Sequence, residues 1–115
     1  MLNYCNLKCK MCYNSVIETK ERNAISIKII EKIIDFAKKE NISHFDLAGG
    51  FGEPLLHPQF INLIKIIKDK ISNSYIEINT NSILLKNEIS EEIIRKNLID
   101  SLNISINFIN EEEYK

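Results

Sequence analysis

Tryptophan is absent from this 115-residue chain, and glycine and proline are scarce, three of one and two of the other. No cysteine follows Cys12. No apolar run approaches the length of a transmembrane helix, which argues against a membrane partner. Charge of one sign is missing too. Fifteen Lys and Arg stand against sixteen Asp and Glu, a formal net charge of −1, so no bulk field draws nucleic acid or an anionic membrane. Met1-Leu2-Asn3-Tyr4 has neither the charged start nor the apolar centre of a signal peptide. Linkers, internal repeats and low-complexity segments are not visible. What remains is one domain of ordinary globular composition, 44% hydrophobic and 27% charged, expected in the cytoplasm. Thiols stay reduced there, and clustered cysteines bind metal or do catalysis more often than they pair. Isoleucine, asparagine and lysine are abundant, 23, 14 and 13 residues. All three have A/T-rich codons, and the bias reflects base composition rather than function.

Hydrophobic spacing predicts alternating helices and strands. Ile29, Ile30, Ile33, Ile34 and Ala37 form a helical stripe within 26–40, with Ser26 as N-cap. His44 to Ala48 alternates like a strand. A second helix spans 58–71, opening at Pro58 and striped by Phe60, Leu63, Ile64, Ile67 and Ile71. Tyr75 to Thr80 is a strand. Ser90 caps a third helix, with Glu91 and Glu92 in its first turn. Leu102 to Asn107 is the last strand, and Asn110 to Lys115 begins another helix. Strands alternating with helices in this way imply an α/β fold of parallel βα units.

These strands are only half apolar. Leu102, Ile104 and Ile106 oppose Asn103, Ser105 and Asn107; Ile76 and Ile78 oppose Glu77 and Asn79; Phe45 and Leu47 oppose His44, Asp46 and Ala48. Strands of a parallel sheet covered on both faces are nearly all apolar, and unpaired buried polar groups are costly. The polar face therefore meets solvent on an open sheet or lines the cavity of a curved, partly closed barrel.

Cys5, Cys9 and Cys12 fall within CNLKCKMC, spaced C-x3-C-x2-C. Three is one short of a closed tetrahedral site and odd for disulfides. Buried structural thiols, a C-x-x-C redox pair at Cys9 and Cys12, and a zinc site borrowing His44 or His57 are each possible readings. The fourth is an iron–sulfur cluster with one iron left open for a ligand.

A second stretch, Gly49-Gly50-Phe51-Gly52-Glu53-Pro54-Leu55-Leu56-His57-Pro58, contains every glycine and both prolines of the chain. As a phosphate cradle it fails, because no P-loop lysine follows and Glu53 repels phosphate. Pro54 holds Glu53 extended, which suits either a carboxylate presented to a cation or a tight strand-to-helix turn with a solvated Glu.

Together the two stretches resemble the radical S-adenosylmethionine (SAM) superfamily. Tyr4 to Tyr13 is similar to its cluster loop, C-x3-C-x-Φ-C, with Met11 at the Φ position. The glycine stretch resembles its G-G-E-P segment, Phe51 standing where a glycine is usual. Tyr75 to Ser82 is similar to a strand ending T-N-G, with Ser82 for Gly, and Ser105-Ile106-Asn107 to one ending S-x-N. The resemblance implies a partial, TIM-like (β/α)6 barrel, of which residues 1–115 would run from the end of the first strand through the fourth, a truncated half. It implies a [4Fe–4S] cluster on Cys5, Cys9 and Cys12, with SAM on the fourth iron. Gly52 and Glu53 would contact the methionine end of SAM, and Asn81, Ser105 and Asn107 the region of its ribose. Reductive cleavage of SAM would release a 5′-deoxyadenosyl radical. The implied partners are SAM, an external electron donor and an unidentified small-molecule or peptide substrate, a cofactor precursor among the options. The alternative is a non-catalytic iron–sulfur or zinc module, or an inactive remnant.

Overall fold

The computed structural model describes residues 1–16, 21–47 and 52–106. Three helices and three strands alternate: α1 (Ile27–Lys39), β1 (His44–Asp46), α2 (Phe60–Lys70), β2 (Tyr75–Thr80), α3 (Asn87–Arg95) and β3 (Ser101–Ile104). Short 3-10 turns at Tyr13–Ser15 and Pro54–Leu56 carry the two motif stretches.

All strands are parallel and lie in chain order, β1-β2-β3. Right-handed crossovers that always step in the same direction put every helix on the same side of a sheet. That is the progression of a barrel wall. A doubly wound sheet must reverse its strand order to cover both faces. The core agrees, with Ile30, Ile34 and Ala37 of α1 and Phe60, Leu63, Ile64 and Ile67 of α2 packed on Ile76 and Ile78 of β2. The opposite face of the sheet is polar, and its side chains join across strands. His44 meets Glu77 at 3.5 Å, and Asn103 Nδ2 donates to Glu77 Oε1 at 2.6 Å.

Several expectations need correction. Ile29 and Ile33 do not join the core; both are exposed, as is Phe36 on the same outer face of α1. Ser26 is the N-cap of α1 through its backbone only, its carbonyl accepting from Ile29 and Ile30 while its side chain makes no cap bond. Pro58 lies in a turn before α2, because helical hydrogen bonding starts only at Phe60. Ser90 does not open α3. The helix begins one turn earlier, and the Ser90 hydroxyl donates to Lys86 O at 3.0 Å. Glu88, not Glu91 or Glu92, is the acid of the first turn. The segment Asn110 to Lys115 lies outside the described residues.

Candidate functional site

The cysteine loop springs from a short anchored segment. Met1 O accepts from Ile25 N at 2.9 Å and Asn3 N donates to Asn23 O at 3.2 Å, so residues 1–3 run antiparallel to 23–25. On the other side Glu53 N donates to Tyr4 O at 3.1 Å. Gly52 makes this approach possible. A β-carbon on it would lie 2.6 Å from Leu2 O and 2.8 Å from Tyr4 O, inside contact distance of rigid backbone. The absence of a side chain at 52 thus brings the glycine stretch directly against the root of the cysteine loop.

Cys5, Cys9 and Cys12 are all reduced and half-buried. Cys12 N donates to Cys9 O at 2.9 Å, and the following 3-10 turn is closed by Ser15, whose N and Oγ both donate to Cys12 O. A short 3-10 turn follows this pair, whereas a thioredoxin-like C-x-x-C pair sits at the start of a helix. Burial raises the Cys9 pKa above its ordinary value, and the neighbouring Cys12 and Cys5 thiolates raise it further. Cys5 Sγ accepts from Leu7 N at 3.4 Å and from Asn81 Nδ2 at 3.6 Å.

Glu53 is 3% exposed, and its carboxylate is occupied by its own chain. Oε1 accepts from Leu55 N at 3.2 Å and Thr80 Oγ1 at 2.5 Å, and Oε2 accepts from Asn81 N at 2.9 Å. The extended backbone that Pro54 imposes is present, at φ −90° and ψ 111°. The solvated Glu of the alternative reading is therefore absent. Glu53 instead ties the glycine stretch to the carboxyl end of β2, where ligands of parallel sheets bind.

Asn81 is the second hub. Its side chain reaches back 75 residues to donate to Asn6 Oδ1 at 2.9 Å as well as to Cys5, while its Oδ1 accepts from Ile83 N at 3.1 Å. Ser82 follows in the left-handed region at φ 61°, which is where the resembling motif carries glycine. Ser105 extends the β2–β3 ladder through its N–H to Thr80 O at 2.8 Å, with its side chain exposed. Asn107 lies outside the described residues, as do Gly49, Gly50 and Phe51.

Each histidine has partners of its own in the fold. His57 is 4% exposed, its Nε2 bonded to Ile25 O at 2.9 Å and its Nδ1 accepting from Gln59 N at 3.1 Å. His44 sits on the polar sheet face beside Glu77. Among the described residues no three His, Cys, Asp or Glu side chains converge on the position of a single ion. A cubane asks for a different arrangement, since each thiolate reaches its own iron around a body wider than one ion. Three reduced thiols in one loop, one of them already receiving two N–H donors, fit that group.

Thr80 and Asn6 were missed by sequence reasoning. Thr80 lies on the buried face with Ile76 and Ile78 at the carboxyl end of a strand. A hydroxyl at such a position needs a partner, and that was the available signal.

Comparison with known proteins agrees with this geometry. The model of the radical SAM superfamily, a family of enzymes, matches residues 1–115. The chain is 33% identical over 89 residues to the tungsten-containing aldehyde ferredoxin oxidoreductase cofactor-modifying protein of Pyrococcus furiosus, covering 77% of this chain and 24% of that one. It is 30% identical over 111 residues to a probable GTP 3′,8-cyclase of Methanococcus maripaludis, covering 96% and 36%. The chain thus spans about a quarter to a third of the length of these curated relatives. The crystal structure of BtrN in complex with AdoMet and 2-DOIA shares the fold, with a TM-score of 0.82 at 19% identity over 95% of this chain and 44% of that one. A three-cysteine loop pinned to the carboxyl end of a parallel sheet, with a family match along its full length, makes this chain a member of the radical SAM superfamily.

Proposed function

We propose that this chain holds a [4Fe–4S] cluster through Cys5, Cys9 and Cys12, binds SAM at the remaining iron, and serves its reductive cleavage. The observation that carries the reading is the bonded path from Cys5 through Asn81 to Glu53, which fixes the cysteine loop over the carboxyl ends of the strands. When bound, these groups supply one-electron cleavage of SAM to methionine and a 5′-deoxyadenosyl radical, which takes a hydrogen atom from a substrate.

The chain's own residues have distinct tasks in this reading. The three cysteines hold the cluster. Gly52 admits the loop root, and Glu53, at the methionine end of the SAM site, anchors the end of β2 through Asn81 N and the Thr80 hydroxyl. Ser105 follows the end of β3, and it is proposed, together with Asn107, for the ribose of SAM. Residues 1–115 form part of the radical SAM core. An external donor supplies the electron, and the chain works in the cytoplasm, where the thiols stay reduced. The substrate is a small molecule or a peptide. Two relatives, a cofactor-modifying protein and a probable GTP cyclase, support a cofactor precursor.

The test is anaerobic reconstitution with iron and sulfide, reduction, and addition of SAM. Formation of 5′-deoxyadenosine, lost in Cys9→Ala, is the expected result. A cluster whose spectrum SAM leaves unchanged, or zinc in place of iron and sulfide on metal analysis, refutes the reading.

A further inference from the structure

We infer that Asn81 is a positioning residue of the cluster, acting on the Cys5 sulfur, rather than a hydrogen-bond donor to the ribose of SAM. The inference rests on the cluster reading above and changes the role that the sequence resemblance implies for this residue. A neutral asparagine side chain offers two N–H donors and one carbonyl acceptor. Both donors have partners, Asn6 Oδ1 at 2.9 Å and Cys5 Sγ at 3.6 Å. The amide orientation is fixed by Ile83 N at 3.1 Å, a donor that must face Oδ1. The main-chain N–H is committed to Glu53 Oε2 at 2.9 Å. No donor is left over for a ribose hydroxyl.

The thiol form of Cys5 donates to Asn6 Oδ1 at 3.6 Å. A cluster-bound thiolate has no proton to give, so of these two side-chain donors to Asn6 only Asn81 remains, and Asn81 holds Asn6 and Cys5 in one fork. Leu7 N supplies the other donor to the sulfur, at 3.4 Å. N–H donors on ligand sulfur stabilise the more negative, reduced cluster and raise its potential. Asn81 therefore tunes the step that takes up the electron, from a position 76 residues away from the ligand it acts on.

The test is a redox titration of the reconstituted chain, followed by electron paramagnetic resonance, with SAM affinity measured separately from its spectral perturbation. Asn81→Ala is expected to lower the midpoint potential by roughly the 59 mV that corresponds to a tenfold change for one electron, with SAM affinity kept within about twofold. Asn81→Asp preserves the acceptor for Ile83 and the main-chain bond to Glu53, so it guards against a merely misfolded variant. It is expected to lower the potential further by placing a negative charge at the sulfur. An unchanged potential in either folded variant, or a loss of SAM affinity without a potential shift, overturns the inference while the cluster reading stands. Failure of the parent chain to assemble any cluster removes both.

Discussion

Scarcity of glycine reassigns its usual work at single residues. With all three glycines spent between 49 and 52, asparagine and serine take the left-handed positions. Asn41 and Asn97 follow the C-caps of α1 and α3 at φ 56° and 47°. Each helix ends in a Schellman motif, with Ile42 N to Ala37 O and Asn41 N to Lys38 O in one, Leu98 N to Ile93 O and Asn97 N to Ile94 O in the other. Replacing Asn41 or Asn97 by Ala is expected to cost about 1 kcal/mol in urea unfolding, and Ser82→Gly to gain about 0.5–1 kcal/mol. Gly52 tolerates no such exchange. Gly52→Ala forces backbone apart at Leu2 and Tyr4, and a loss of about 1–3 kcal/mol with reduced iron content after reconstitution is expected. Thr80→Val keeps the volume but strips Glu53 Oε1 and Ser82 N of a partner. A loss of about 1–3 kcal/mol is expected for it.

Between elements, Asp100 locks α2 to the amino ends of β2 and β3. Its Oδ2 accepts from Lys68 Nζ at 2.6 Å and Ile76 N at 2.7 Å, and Lys68 Nζ also donates to Ser74 O at 2.9 Å. Burial pushes the Asp100 carboxyl up, but the bonds from Lys68 and Ile76 and the Lys68 charge outweigh it, leaving a net depression below the ordinary aspartate value. A carboxyl with a depressed folded pKa stabilises above its unfolded value and loses that contribution as pH falls through the folded one. Asp100→Asn is therefore expected to destabilise at pH 7 by about 1–3 kcal/mol. The gap to the parent should narrow below about pH 4 in urea melts repeated across the acid range. On α3, Glu92 accepts from Lys65 of α2 at 2.6 Å and from Lys96 at 3.0 Å. The helix has no fully buried residue, although Ile89 and Ile93 pack partly on the core. The bond from Lys65 ties α3 to α2 where burial is thin.

As a whole molecule, the described fold is a wall rather than a closed barrel. Its Cα radius of gyration is 15.0 Å with extents of 46 × 33 × 21 Å, against about 13 Å for a compact domain of this length. Its helix-covered middle is dry, with Ile76 and Ile78 fully buried, while Leu102 and Ile104 on the edge strand are 42% and 47% exposed. Among the described residues no helix is long and apolar enough to cross a membrane. Among the described residues β3 pairs with β2 alone, and a parallel edge with an apolar face favours association between chains. Concentration-dependent self-association of the 115-residue chain in sedimentation velocity is expected. Ile104→Lys should reduce it with a stability change within about 0.5 kcal/mol.

Element type and order were legible from periodicity, because apolar spacing records which side of each segment meets a core. The cysteine loop was legible as well, because thiolate count and spacing are properties of a contiguous stretch. Helix starts were less so. Ser90 is a good N-cap in isolation, but the turn beginning at Asn87 places Ile89 and Ile93 on the core, and packing outweighs one cap. The tertiary structure alone decided how the motif residues are spent. Glu53 is saturated by its own chain, Gly52 is bare because the backbone of Leu2 and Tyr4 presses on it, and Asn81 lies against Cys5. Each of these depends on groups 27 to 76 residues apart meeting at a strand end. Such partners leave no periodic trace in the chain, and a donor's valence is known to be filled only once its neighbours are in place.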